Sequence, residues 1–282
     1  MLADFLQFDF LRNTFFTGLL TGFIAPLLGS FLVVRRLSLL ADALSHVTLA
    51  GIAFGLFLEK TVMFTFITPL YSGMTFSVFG AILIERLRSI YQSYQEIGIP
   101  IILSAGVGLS VVFISLANGF NTDLFGYLFG SVSAVSRNDL YTILFITIFV
   151  VIILFIFYKE LVTLSFDEEH ARVSGLHSKL IHFIFIVLTA LVIAASIRIV
   201  GVLLVSALMT LPVAAAMRLA NSFKQLIFLS IVFGETAVIT GLISGYHFSI
   251  PPGGTIVIIA LVILIISIVL KRISLSRQRK FV

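Results

Sequence analysis

Six runs of 18 to 26 consecutive residues contain no Asp, Glu, Lys or Arg, and this pattern constrains the fold more than any other feature of the chain. A helix needs about 20 mostly apolar residues to cross the hydrocarbon core of a bilayer. Only 11% of the 282 residues are charged, whereas an average soluble domain has about 25%. The chain is therefore predicted to be a polytopic membrane protein. A soluble enzyme, a disordered chain and a nucleic-acid-binding domain are excluded.

About nine membrane crossings are predicted from the positions of the charges. The six uncharged runs are 13–34, 61–84, 97–122, 140–158, 180–197 and 199–217. Segment 225–270 has a single charge and breaks near Pro251–Gly254 into two spans, and 43–58 forms a shorter span. The expected fold is thus all-α, with eight or nine transmembrane helices in one domain over residues 1–282.

The basic residues predict the orientation of these helices. If Arg35 and Arg36 face the cytoplasm, strict alternation places fourteen of the 18 Lys and Arg residues inside and four outside. Cytoplasmic loops of membrane proteins carry an excess of Lys and Arg. The C-terminus is therefore predicted to be cytoplasmic, with a cytoplasmic loop over 159–179 and an outer polar or re-entrant segment over 118–138.

The short span contains one ionisable residue, His46, and has a second, Asp42, at its edge. Asp42 and His46 are four residues apart, so on a helix they share one face. Measured from Arg36, His46 lies ~15 Å into the membrane, where an ionisable side chain costs roughly 2.5–3.5 kcal/mol on insertion scales. A carboxylate oxygen and an imidazole nitrogen suit Zn²⁺ or Mn²⁺. This pair is predicted to bind a metal ion; the alternative is an internal Asp–His hydrogen bond that joins helices.

A third intramembrane charge is Glu235, ten residues after Gln225. It could be a third metal ligand, a proton acceptor, or a buried acid that stays neutral. His182 and His247 are expected at the membrane interfaces.

Several catalytic and binding motifs are absent from the sequence. The chain has no Cys and so no thiolate ligand or nucleophile. It lacks the G-x-x-x-x-G-K-[ST] motif that binds ATP, and also H-E-x-x-H and G-x-S-x-G. A nucleophile-and-base set for an intramembrane enzyme cannot be assembled.

The run RRLSLLADALSHVTLAGIAFG at 35–55 resembles the signature of the permease subunits of zinc/manganese/iron ABC importers. Segments 127–131, 166–171 and 244–256 resemble further parts of that family, and the similarity covers essentially the whole chain. The strongest likeness is to the Gram-positive zinc-uptake branch.

This resemblance implies a fold like that of type II ABC importers in a bacterial plasma membrane. It also implies a homodimer of permeases, a pair of cytoplasmic ATP-binding subunits and an extracytoplasmic metal-binding protein. No cofactor is expected to be bound permanently; the transported ion is expected to be Zn²⁺, with Mn²⁺ or iron as alternatives. The ATPase is expected to dock on the cytoplasmic loop, at Asp167, Glu168, Glu169, Ala171 and Gly175.

A secondary transporter is the main competing interpretation. In such a protein Asp42, His46 and Glu235 would relay protons or cations. Secondary transporters often contain inverted repeats, and no convincing repeat is visible in this sequence.

Overall fold

Every regular element in the described part of the chain is helical, as the sequence predicts. The computed structural model describes residues 8–62, 68–91, 94–117, 119 and 122–278. A 3-10 turn at Gln95–Ile97 accompanies the α-helices. These are α1 Asp9–Val34, α2 Ser38–Val62, α3 Pro69–Ile90, α4 Gly98–Leu116, α5 Thr122–Phe129, α6 Arg137–Ile156, α7 Tyr158–Phe166, α8 Glu168–Val173, α9 Ser178–Val200, α10 Val202–Leu219, α11 Phe223–Phe248 and α12 Pro252–Gln278.

Eight helices of the described residues are long and apolar enough to cross a membrane: α1, α2, α4, α6, α9, α10, α11 and α12. Helix α3 has 22 residues and is less apolar. It nevertheless runs between the two ends of the molecule, because Pro69 packs against Gly55 near one end and Glu85 approaches His182 near the other. The prediction of eight or nine transmembrane helices is confirmed.

Two breaks in the helices occur where the sequence predicts them. Helix α11 ends at Ser249, which has φ 55°, and α12 begins at Pro252. In the outer polar segment, α5 has only eight residues, about 12 Å, and is too short to cross a membrane. Positions 118, 120 and 121 of this segment, like 63–67 of an earlier predicted span, lie outside the described residues.

Helix α9 lies at the centre of the bundle and contacts α1, α2, α3, α6 and α10. Phe185, Ile193 and Val200 of this helix are fully buried. The Phe185 ring packs edge-on against Phe31 of α1, with ring centroids 6.1 Å apart. Helices α6 and α12 lie at the periphery and expose bulky side chains such as Phe155 and Ile265, as expected of surfaces that face lipid.

Several helices approach one another closely at glycines, which have no side chain to separate the two backbones. A Cβ on Gly29 of α1 would overlap the Met209 carbonyl of α10. The same holds for a group at the α5 end of the molecule, which we call the glycine junction: Gly130, Gly201 and Gly253. The junction joins the end of α5, the α9–α10 boundary and the start of α12. Gly130 and Gly253 lie in segments 127–131 and 244–256, which carry the sequence resemblance.

A charged network closes the same end. Arg198 of α9 pairs with Asp139 of α6 and donates to the Tyr127 hydroxyl, 3.1 Å away. Asp139 also forms a capping box with Ser136 at the start of α6. Arg198, one of the four basic residues predicted to lie outside, is therefore neutralised by Asp139 at this end of the molecule.

The contact at Gly29 provides a test of this packing. We expect Gly29→Ala to destabilise the protein by about 1–3 kcal/mol, because the added methyl group overlaps backbone that cannot move aside. The matched control is Gly254→Ala, since a Cβ there has no atom within 4 Å. Thermal unfolding of both variants in detergent measures the difference. Equal melting temperatures would contradict the close approach of α1 and α10.

Candidate metal centre

Helix α2 carries both members of the predicted metal pair. The chain reverses at Arg36, which has φ 57°, and α2 then runs without interruption from Ser38. Asp42 and His46 therefore lie one turn apart on one face, with His46 about 12 Å from the start of the helix. The sequence predicts that Asp42 and His46 are one helical turn apart, and the structure has this spacing.

Both side chains of the pair are half-buried. Their hydroxyl-bearing neighbours on α2 are satisfied locally: Ser45 donates to the Ala41 carbonyl at 2.8 Å and Thr48 to the Leu44 carbonyl at 2.6 Å. Asp42 acts on His46 electrostatically, yet in the part of the chain that the structure describes neither residue has a hydrogen-bond or salt-bridge partner. The pair thus presents a free oxygen ligand and a free nitrogen ligand.

Helix α4 packs tightly on α2 at the level of His46. A Cβ on Gly106 would lie 2.9 Å from the Val47 nitrogen and 3.1 Å from the His46 carbonyl carbon. The buried stripe of α4 is narrow. Its exposed face includes the small residues Ser104, Ala105 and Gly108, beside the helix that carries the metal pair.

Glu235 lies in a different helix interface. Its Oε2 atom is buried without a hydrogen-bond partner among the described residues, and it faces Gly22 of α1, 3.2 Å from the position of a Cβ there. Its helix α11 packs on α1, α10 and α12, whereas α2 packs chiefly on α3, α4 and α10. Over the described ranges, no group of three or more His, Asp or Glu residues is arranged to hold a metal ion.

His182 lies near the start of α9 and is buried against other helices. It is 5% exposed, and its Nδ1 atom contacts the guanidinium of Arg35. Its Nε2 atom lies 3.6 Å from Glu85. These partners are far apart in the sequence, so no local spacing could have predicted the cluster. His247 is exposed, as expected.

The predicted docking loop forms two short helices, α7 and α8. Asp167 accepts a hydrogen bond from the His170 amide at 2.8 Å and so begins α8. Ala171 is fully buried, while Val173, two residues later, is 88% exposed. Gly175 has φ 80° and ends the turn. The sequence analysis missed Val173, an exposed apolar side chain on a charged loop.

A family model, described as "ABC 3 transport family", matches residues 7–271 of the chain. The chain belongs to the ABC 3 transport family. Membership makes it a membrane-embedded transport subunit of the ABC type, and it confirms the family that the sequence motifs indicated.

Relatives within the ABC 3 family match along nearly their whole length. A "probable metal transport system membrane protein" of Treponema pallidum is 34% identical, covering 96% of this chain and 99% of the relative. The manganese import system permease protein ScaB of Streptococcus gordonii is 33% identical, covering 95% of each. A solved structure, PsaBC from Streptococcus pneumoniae in complex with Fab, has a chain that is 32% identical, with a TM-score of 0.81 and 95% of each chain covered.

Proposed function

We propose that this chain is the permease subunit of an ATP-driven importer for a divalent first-row metal ion, with Mn²⁺ as the first candidate. ABC 3 family membership supports the transport role. The name of the streptococcal relative ScaB supports manganese. Zn²⁺, which the sequence analysis favoured, remains the alternative, because the same oxygen and nitrogen ligands bind it.

The free Asp42–His46 pair is the observation that carries this proposal. A structural pair would be hydrogen-bonded, since a polar group left unpaired within the membrane is costly. Here the two side chains lack partners among the described residues and leave their ligand atoms available to an ion. Without thiolates, the pair binds its cargo weakly enough to release it.

Two ligands are too few for a metal ion, so we propose that a second copy of the chain completes the site. A two-fold homodimer built on the small-residue face of α4 would bring a second Asp42 and His46 towards the first pair. Membrane helices associate closely through small residues, and the exposed face of α4 includes Ser104, Ala105 and Gly108 among bulkier residues such as Val111. Glu235 remains a candidate pathway residue in the α1–α11 interface.

The energy for transport is proposed to come from a separate ATPase, because the sequence has no P-loop. We propose that this subunit docks on α8, with Asp167, Glu168 and Glu169 as its polar rim and Val173 as its apolar contact. The buried Ala171 anchors the loop to the bundle, so its role is to fix α8 in place. Gly175 gives the chain the turn that it needs after α8.

The orientation in the membrane forms the next part of the proposal. The docking loop, Arg35 and the C-terminus lie on the cytoplasmic side of a bacterial plasma membrane, as the distribution of Lys and Arg indicates. The glycine junction lies on the outer side, where an extracytoplasmic metal-binding protein would deliver the ion.

Uptake into proteoliposomes that contain the permease and its ATPase tests the metal site. We expect ATP-dependent uptake of Mn²⁺ that Asp42→Asn and His46→Ala each reduce to the level of protein-free liposomes, because each change removes one of the few ligands. His247→Ala is the control, an exposed imidazole outside the site. Competition between Mn²⁺ and Zn²⁺ in the same assay identifies the cargo.

Two results of this assay would contradict the proposal. Folded variants that transport at the wild-type rate would eliminate the pair as the site. Uptake driven by an ion gradient without ATP would favour the secondary-transporter alternative.

Docking on α8 is tested by Val173→Asp. We expect uptake to fall at least about tenfold, since a buried unpaired carboxylate at the interface weakens binding of the ATPase. The melting temperature of the permease should not change, because Val173 is exposed. Asn221→Asp adds the same charge to an exposed turn between α10 and α11 as a control. Normal coupling in the Val173 variant would place the ATPase elsewhere.

The dimer interface is tested by disulfide cross-linking. Because the chain has no native Cys, only an introduced Cys can form the cross-link. We expect Gly108→Cys to form a covalent dimer on mild oxidation in membranes, because the α4 faces of two copies meet. Ile265→Cys on α12 is the control; this side chain is 51% exposed and faces lipid in the proposed dimer. Cross-linking at position 265 but not at 108 would assign the interface to α12.

A further inference from the structure

A cavity of about 650 Å³ opens at the end of the molecule that carries Arg35. It lies between the end of α3, the α7–α8 loop and the start of α9. Its charged and imidazole lining includes Arg35, Glu85, Arg88, Glu168, Lys179 and His182. It is separate from the Asp42–His46 pair, which does not line it.

Positive charge exceeds negative charge in this cavity. Three of its lining residues are Arg or Lys and two are Glu, so one cation is in excess when the imidazoles are neutral. The Glu85 Oε2 atom lies 3.6 Å from both Arg88 and His182, so this carboxylate offsets Arg88. Burial, followed by the charge of Arg88, lowers the pKa of Arg35 to about 10, and Arg35 therefore stays protonated at neutral pH.

Two buried donors face the cavity without a partner. The guanidinium of Arg35 donates to His182 Nδ1, so in the neutral imidazole Nε2 carries the proton. That Nε2 atom and the Arg35 Nη1 atom have no hydrogen-bond partner among the described residues, and the nearby acceptor Glu85 Oε2, 3.6 Å from Nε2, has none either. A metal ion does not fit here, because the ring nitrogen that faces the cavity is a donor. An acceptor does fit.

The start of α9 adds further donors. His177 precedes this 23-residue helix and its side chain caps none of the first amides. Ser178, Lys179 and Leu180 of the first turn line the cavity. The Ser178 amide donates to the Leu176 carbonyl at 2.8 Å. The other N–H groups of the first turn and the dipole of a helix N-terminus favour an anion.

We propose that this cavity binds a phosphate group. Its donors come from α3, from α9 and from the turn after α1, and they include the guanidinium groups of Arg35 and Arg88, which match phosphate oxygens in geometry. Leu180 and Ile90 at the helix ends nearby are 56% and 63% exposed, so acyl chains of a lipid could lie against them. The phosphate could thus belong to an anionic lipid of the cytoplasmic leaflet, where basic pockets between helices bind headgroups, or to a soluble phosphate.

Native mass spectrometry of the full chain in detergent tests this site. It compares the binding of phosphatidylglycerol, an anionic lipid, with that of phosphatidylcholine. We expect the protein to bind phosphatidylglycerol more tightly than phosphatidylcholine. The affinity for phosphatidylglycerol should fall at least about tenfold for each cation removed, because each removal loses a charge-assisted hydrogen bond. The variants are Lys179→Gln, which changes an exposed residue, and Lys179→Gln combined with Arg88→Gln. The control, Arg86→Gln with Lys224→Gln, removes two exposed cations outside the cavity and should cost less than about fivefold per charge.

Inorganic phosphate as competitor separates the two sources. Bound phosphatidylglycerol that phosphate fails to displace identifies a lipid site, and displacement identifies a site for soluble phosphate. Equal losses in the cavity variants and the control, or no preference for the anionic lipid, would overturn the proposal. The measurement in detergent depends on neither the orientation nor the transport role proposed above, so it can fail independently of them.

Discussion

A bilayer offers no hydrogen-bond partner to a polar group in its core, and this constraint governs the rest of the structure. Many hydroxyl groups inside the bundle donate to carbonyls of their own helix, as Thr21 and Ser30 do on α1. Charges at the α5 end of the molecule pair with one another, as Arg198 and Asp139 do. The described residues also include unpaired polar atoms, among them the Thr17 hydroxyl and Glu235 Oε2. The Asp42–His46 pair differs from these because a carboxylate and an imidazole, both without partners in the described part of the chain, lie one turn apart on one helix face.

Close packing through glycine makes the second contribution. Gly29 and Gly106 let backbones meet, so α1 packs on α10 and α4 packs on α2 without intervening side chains. The approach of α4 brings Ser104 and Gly108 of its exposed face next to the metal pair, beside bulkier exposed residues such as Val111 and Leu116. The peripheral helices α6 and α12 also expose bulky residues.

The proposed activities lie at different levels of the same bundle. The metal pair lies within α2, and the docking helix α8 lies at the end of the molecule that carries Arg35. The phosphate cavity lies between them, bounded by α3, α9 and the docking loop. A ligand there would contact both the membrane helices and the loop on which the ATPase is proposed to act. Its occupancy would therefore influence how the loop is held.

The sequence by itself determined the helical class, the spans and the Asp42–His46 pair, because bilayer thickness and helical periodicity are local rules that a run of residues must obey. It also predicted the break near Pro251, since proline and glycine interrupt helices locally. Only the tertiary structure decided which residues meet across the bundle. Arg35 contacts His182 and Glu235 faces Gly22 through helix packing between distant segments, for which local spacing carries no signal. The burial of Ala171 and the exposure of Val173 were decided in the same way, because a short helix shows which of its faces is covered only when it rests on its neighbours.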